Sequence, residues 1–238
     1  MSDTKSLKIK IFADGADKQS MLEMYSKPSI SGLTTNPTLM RKSGISDYRE
    51  FCLEILNTIT DKPISFEVFS DEFQEMKAQA LEISSWGNNV YVKIPISNTK
   101  GELSLELVQD LVSSGVKVNV TAVFTLDQVR AAASVLSTEI PSYVSIFAGR
   151  IADTGVDPIP LVQDALLILK DLPLCEVIWA SPREVLNIVH ADSIGCHVIT
   201  VTQDLLKKQD LFGHDLSQYS LETVKMFYDD SQAAGYKL

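Results

Sequence analysis

Residues 64–94 read ISFEVFSDEFQEMKAQALEISSWGNNVYVKI, and this stretch decides the fold. Ile64–Phe69 is a short apolar and aromatic run of the kind that forms a buried strand. Ser70 and Asp71 follow as cap residues, and Glu72–Trp86 carries apolar side chains at helical spacing. Val90–Ile94 is a second β-branched run. A strand, a helix and a second strand, with both strands almost wholly apolar, describe one parallel crossover covered on both faces.

The same rhythm continues in both directions. Further strands are predicted at Ile9–Asp14, Ser29–Thr34, Lys117–Thr121, Tyr143–Phe147, Glu176–Ala180 and His197–Val201. Helical spacing falls between them at Lys18–Ser26, Tyr48–Thr60, Leu103–Ser113, Leu126–Ser137, Pro160–Lys170, Pro182–His190 and Thr202–Gln209, with Asp157-Pro158 as a start signal. Eight strand–helix units in about 210 residues predict an α/β fold, a single (β/α)8 TIM barrel. A doubly wound open sheet shares the rhythm, but no glycine-rich phosphate fingerprint follows the first strand. Leu221–Ala234 reads as an extra amphipathic helix carrying Leu221, Val224, Met226, Phe227 and Tyr228. The expected organisation is one domain over 1–238, with the barrel at about 8–210 and a helical tail at about 217–235.

Composition narrows the class. The chain has 238 residues, 45% of them hydrophobic, enough for a sizeable core. A net charge of −10 argues against nucleic acid or an anionic membrane as partner, since both need a basic face. It leaves room for a small phosphorylated substrate, which needs only a few local cations. Cys52, Cys175 and Cys196 are odd in number and widely spaced, so they read as packing thiols of a reduced chain. His190, His197 and His214 lie too far apart in sequence to form a metal constellation. Met1–Lys10 lacks the apolar core of a secretory leader, and no apolar run reaches membrane-spanning length, so a cytoplasmic location is expected.

In a parallel barrel the reactive groups sit at the C-terminal ends of the strands. Asp14 closes the first predicted strand, Thr34-Thr35-Asn36-Pro37 the second; Glu67 lies in the third and Lys93 in the fourth. Asn119 and Thr121 lie in the fifth, Ser145 in the sixth ahead of Arg150, and the seventh leads to Ser181 and Arg183. Lys93, between Val92 and Ile94, has two readings. One is a structural ion pair with Asp14 or Glu67. The other is an amine whose pKa desolvation lowers, free to attack a ketone and form an imine. Asp14 and Glu67 are the carboxylates at hand for proton transfer, and Thr121 is a hydroxyl able to hold a water. Singly, Asp14 is a helix cap, Thr121 a strand former and each arginine a solvated charge. Together they describe a catalytic mouth, with the two arginines placed where barrels bind phosphate.

These residues carry a family resemblance. Phe12-Ala13-Asp14, Gly32-Leu33-Thr34-Thr35-Asn36-Pro37, Val90-Tyr91-Val92-Lys93-Ile94-Pro95, Asn119-Val120-Thr121, Gly149-Arg150-Ile151 and Ala180-Ser181 resemble the transaldolase family, which includes the small fructose-6-phosphate aldolases. The resemblance runs from Ile9 to about Leu206. It implies that Lys93 forms the imine, that Asp14 handles the donor's hydroxyl proton, and that Glu67 and Thr121 activate the catalytic water. It implies that Asn36, Asn119 and Ser145, with Thr34 beside them, hold the dihydroxyacetone part, and that Arg150, Ser181 and Arg183 clamp the phosphate. Glu67, Asn119 and Phe147 resemble the transaldolase branch, where the aldolases have glutamine and tyrosine in the first and last of these places.

The implied activity is transfer of a dihydroxyacetone unit between sugar phosphates, as in the pentose phosphate pathway, with no cofactor and no metal. Compact members imply a homo-oligomer, a pentamer or decamer, with the C-terminal helix on a neighbour. Three departures stand out: Trp179 replaces a small residue, Ile146 follows Ser145 in place of a proline, and Pro182 separates Ser181 from Arg183. Other readings are a fructose-6-phosphate or other dihydroxyacetone aldolase, a related class I aldolase acting on a modified sugar phosphate, a deoxyribose-phosphate-type aldolase, for which no second strand-end lysine is evident, and a catalytically silent sugar-phosphate binder.

Overall fold

The computed structural model describes residues 7–238. The leading residues 1–6, part of the stretch read above as lacking a leader core, lie outside the described residues. In chain order the elements are β1 (Lys10–Asp14), α1 (Lys18–Tyr25), β2 (Ile30–Thr34), α2 (Pro37–Lys42), α3 (Tyr48–Leu56), β3 (Ile64–Glu67), α4 (Phe73–Ser84), β4 (Val90–Pro95), α5 (Leu105–Ser113), β5 (Val118–Val123) and α6 (Leu126–Ala133). There follow β6 (Ser142–Ile146), α7 (Ala148–Asp153), α8 (Pro158–Ile168), β7 (Cys175–Trp179), α9 (Leu186–Ser193), β8 (Val198–Thr202), α10 (Gln203–Leu206) and α11 (Leu216–Ala234). The eight strands form a closed parallel barrel in sequence order, with β1 paired to β8. This is the (β/α)8 architecture that the strand–helix rhythm predicts.

Alternation along each strand sorts side chains into two shells. Ala13, Leu33, Phe66, Val92, Ile94, Val120 and Val144 face outward into the large core beneath the helices. Phe12, Tyr143, Ile178, Ala180 and Val198 fill the barrel interior, with Tyr91 and Phe147 against them. Gly32 makes this interior possible: a Cβ there would lie 2.6 Å from the Phe12 ring. Trp179, a departure from the family pattern, is 1% exposed and belongs to the outer core, so its bulk fills core and stays out of the cavity. Ile146 lies in the same core.

The helices start where short polar side chains satisfy their first N–H groups. Asp17, Asp47 and Asp157 each accept a backbone N–H at their helix start, and Thr125 with Gln128 forms a capping box on α6. Several boundaries differ from expectation for local reasons. Ser70-Asp71 is not the cap of α4: Glu72 holds that place, and the Asp71 carboxylate instead accepts from the Thr99 backbone N–H (2.7 Å) and hydroxyl (2.6 Å). β3 stops at Glu67 because the Phe69 N–H turns to the Gln79 side chain (2.9 Å). α9 starts at Leu186, not Pro182: the Asn187 side chain takes the N–H groups of Arg183 (2.8 Å) and Glu184 (3.2 Å), and Ser181 is left-handed at φ 61°. α2 and α7, each six residues, were not expected at all.

By internal packing the barrel unit is 7–206, and 207–238 belongs to a second unit. Within that second unit, Lys207–Leu211 is a 3-10 turn, so the predicted helix Thr202–Gln209 is broken into α10 and this turn. Asp215 caps α11 by accepting from the Gln218 N–H, and Gly235 ends it at φ 65°. None of the residues of α11 is buried. No helix among the described residues is long and apolar enough to cross a membrane.

Candidate active site

Twelve side chains singled out from the sequence line one cavity of about 460 Å³ at the C-terminal mouth of the barrel. Asp14, Thr34 and Asn36 come from β1 and β2 with their loops, Glu67 and Lys93 from β3 and β4, and Asn119 and Thr121 from β5. Ser145, Phe147 and Arg150 come from β6 and α7, Ser181 and Arg183 from the loop after β7. Strand register explains part of this meeting: Lys93 is paired directly with Glu67 on one side and Asn119 on the other, and Asp14 with Thr34.

Lys93 is only 7% exposed. Its Nζ lies 3.0 Å from Glu67 Oε2 and donates to the Thr35 carbonyl oxygen at 3.0 Å. Of the two carboxylates considered from the sequence as partners, the structure puts Glu67 in contact. Asp14 accepts a hydrogen bond from the Thr34 hydroxyl (2.8 Å). Burial pushes its carboxyl above the ordinary value of 3.8, although Lys93 and the Thr34 bond pull the other way. Such a carboxyl is a better proton acceptor than a solvated one.

The floor is ordered by a short network. Ser145 donates to the Asn119 side-chain oxygen (2.7 Å), and the Asn119 amide donates to Ser65 (3.2 Å), which fixes which way the amide points. Thr121 Oγ1 is buried and has no protein partner, a polar atom facing a cavity and suited to hold a water or a substrate hydroxyl. Just past it, Ala122 is left-handed at φ 58° where the β5–β6 register shifts, a bulge that turns the strand end at the mouth. Asn36 is half-committed: its side-chain oxygen caps α2 by accepting the Leu39 N–H (3.0 Å), leaving its amide protons for a ligand.

The rim is more open. The Arg150 guanidinium stacks on Phe147 at 5.2 Å, and Phe147 in turn packs on Phe124 at 5.6 Å. Arg183 is engaged by Asp153 across the gap between α7 and the β7–α9 loop. Pro182 does not line the cavity.

The chain matches the family described as Transaldolase/Fructose-6-phosphate aldolase over residues 11–238. The chain belongs to that family. A protein named "Probable transaldolase" from Thermoanaerobacter sp. (strain X514) is 34% identical over 231 residues, 97% of this chain and all of that one. Proteins of the same name from Dehalococcoides mccartyi and Methanococcus maripaludis are 34% and 33% identical, over 83% and 90% of this chain and 88% and 94% of theirs.

Several groups beyond these twelve side chains line or brace the cavity. Thr200 lines the cavity and lies two residues after the interior Val198, so alternation along the strand would have found it. Tyr48, on α3, donates its hydroxyl to the Glu67 carbonyl oxygen (2.7 Å) and steadies the end of β3. Ser65 lies two residues before Glu67 on β3, where the same alternation would have found it, whereas the Thr35 carbonyl and Asp153 carry no signal in the sequence.

Proposed function

We propose that this protein is a transaldolase that moves a dihydroxyacetone unit from a ketose phosphate, fructose 6-phosphate or sedoheptulose 7-phosphate, to an aldose phosphate through an imine on Lys93. The observation that carries the reading is the buried Lys93 amine on the cavity floor, with Glu67 Oε2 at 3.0 Å and the proton-accepting Asp14 in the same cavity. Glu67 takes the proton that frees the amine. Nζ adds to the ketone carbon of the donor and water leaves, with Glu67 and the unpartnered Thr121 hydroxyl holding that water. The protonated imine draws electrons from the neighbouring carbon–carbon bond. As that bond breaks, Asp14 takes the proton of the hydroxyl on the departing carbon, and an aldose phosphate leaves. The enamine left on Lys93 attacks the acceptor aldehyde, Asp14 returns the proton, and water hydrolyses the imine.

Thr34, Asn36, Asn119 and Ser145 are assigned to the hydroxyls of the dihydroxyacetone part, and Arg150, Ser181 and Arg183 to the phosphate. Phe147 offers the enamine no hydroxyl, and this with Glu67 favours retention of the fragment until an acceptor arrives. The apolar residues of α11, with Val224, Phe227 and Tyr228 each at least 60% exposed, support assembly as a homo-oligomer, and the overall assignment supports a cytoplasmic enzyme. Fructose 6-phosphate with erythrose 4-phosphate is expected to yield sedoheptulose 7-phosphate and glyceraldehyde 3-phosphate. Rapid release of free dihydroxyacetone without acceptor would make the protein an aldolase instead.

A further inference from the structure

We propose that Asp153 is a positioning residue: it aims Arg183 at the phosphate of the substrate, and through that arginine it sets the preference for phosphorylated sugars. The proposal deepens the transaldolase reading and rests on it for the substrate class.

Arg183 comes from an irregular loop and stands at the rim. Its Nε lies 2.9 Å from Asp153 Oδ1 and 3.0 Å from Oδ2, and its Nη2 also bonds Oδ2. This two-pronged arrangement fixes the plane of the guanidinium as well as its position. It occupies the Nε–Nη2 edge and leaves the Nη1 end to meet a ligand. Asp153 stands three residues after Arg150 on α7, so one short helix supplies one arginine of the anion site and the carboxylate that aims the other. A second tie joins the same two elements. The Gly149 N–H donates to the Ala180 carbonyl (3.3 Å), and a Cβ on Gly149 would run into the Ser181 carbonyl oxygen. Helix α7 is thereby seated directly on the loop that carries Ser181 and Arg183.

Stability is a poor explanation for this ion pair. Its side chains are 47% and 51% exposed, where ion pairs add little. Direction is what the fork supplies. An arginine swinging on a loop must lose its freedom on meeting phosphate, and one already held does not. The pair also changes the charge presented to the ligand. Two arginines and one carboxylate leave one net positive charge, so attraction rewards an anion whose oxygens land on Nη1 and Arg150. Anions approaching elsewhere meet a carboxylate. The Arg183 guanidinium holds the Asp153 carboxyl below the ordinary value of 3.8, so the fork stays ionised at neutral pH.

The test uses the full chain and inorganic phosphate as probe, titrated calorimetrically into the wild type, Asp153→Ala, Asp153→Asn, Arg183→Ala and the double variant. Asp153→Ala is expected to weaken phosphate binding about tenfold when Arg183 is present and not at all when Arg183 is alanine. Asp153→Asn keeps the shape and is expected to fall between. With fructose 6-phosphate as donor, Asp153→Ala raises KM by the same factor and leaves kcat within about twofold. Tighter phosphate binding without Asp153 would overturn the proposal by making Asp153 a competitor for Arg183. An equal loss with and without Arg183 would overturn it by showing that Asp153 does not act through the arginine. Borohydride trapping of dihydroxyacetone on Lys93 is read separately: its failure in the wild type sinks the imine reading, while the phosphate titrations still decide the role of Asp153.

Discussion

Glu67, Lys93, Asn119 and Thr121 stand on three consecutive strands whose register is fixed by the barrel, whereas Arg150, Asp153, Ser181 and Arg183 stand on a six-residue helix and an irregular loop at the rim. The first group is largely buried: Lys93, Asn119 and Thr121 are 7%, 0% and 1% exposed. The charges of the second group are open to solvent, and they are aimed by a side-chain fork and a close backbone contact. Burial on rigid strands suits groups whose reactivity depends on desolvation and on holding geometry to a fraction of an ångström. Exposed loops suit groups that must admit and release a charged substrate, and they vary without disturbing the barrel. The proposed function therefore assigns the reaction type and the choice of substrate to separable parts of one cavity.

The largest break between the two parts comes from Lys93→Met, which keeps most of the length of the unbranched side chain and removes the amine. We expect a loss of at least about 10⁴-fold in kcat, since the proposed reaction runs through an imine on this amine. Borohydride with a ketose phosphate should no longer add mass to the protein. Phosphate binding at the rim should be unchanged. If phosphate binding falls together with turnover, the two regions are coupled and the division is wrong.

The two regions were also unequally legible in the sequence. The strand half was readable because a polar residue in a dry, β-branched run is conspicuous, and Lys93 between Val92 and Ile94 announces itself. Alternation then places Glu67, Asn119 and Thr121 on the inner face with it. The barrel followed for a similar reason: eight short apolar runs spaced by helical segments leave few other solutions. The rim half was only partly readable. Arg150 and Arg183 are evident as strand-end cations, but α7 is too short to show periodicity, and it is capped by Phe147, the last residue of the strand predicted there. The bond between Asp153 and Arg183 spans thirty positions and has no local signature. The left-handed Ser181 and its close approach to Gly149 are tertiary features that propensity does not encode.

Gly149→Ala addresses the rim alone. The added methyl would overlap the Ser181 carbonyl oxygen, and backbone cannot swing aside as a side chain does. Relief requires α7 and the β7–α9 loop to part, which moves Arg150 away from Ser181 and Arg183. We expect a stability cost of about 1–3 kcal/mol, as for overpacking elsewhere in protein interiors, measurable by denaturant titration. KM for a phosphorylated donor should rise, while trapping of unphosphorylated dihydroxyacetone on Lys93 should persist. Loss of that trapping in a folded variant would mean that the rim also shapes the imine site.

The smallest effect sharpens the strand half. Burial raises the Asp14 carboxyl, with Lys93 and Thr34 opposing, so the folded protein holds this proton more tightly than the unfolded chain does. The sign follows from that difference. Below the unfolded value near 3.8 both states are protonated and the carboxyl costs nothing. As pH rises from there towards the folded value, the unfolded chain releases the proton first, and stability falls by at most about 1.4 kcal/mol per pH unit. Asp14→Asn cannot titrate, so its stability should lose this component and exceed that of the wild type increasingly as pH rises through the window, at the expense of turnover. Paired denaturant titrations at several pH values above 4 measure the difference directly. Parallel curves for the two proteins would mean that Asp14 is not held against its own ionisation, and that the water in the cavity solvates it as well as bulk water does. A diverging pair would identify the strand half as a place where the fold gives up stability at neutral pH to keep a strong proton acceptor beside Lys93.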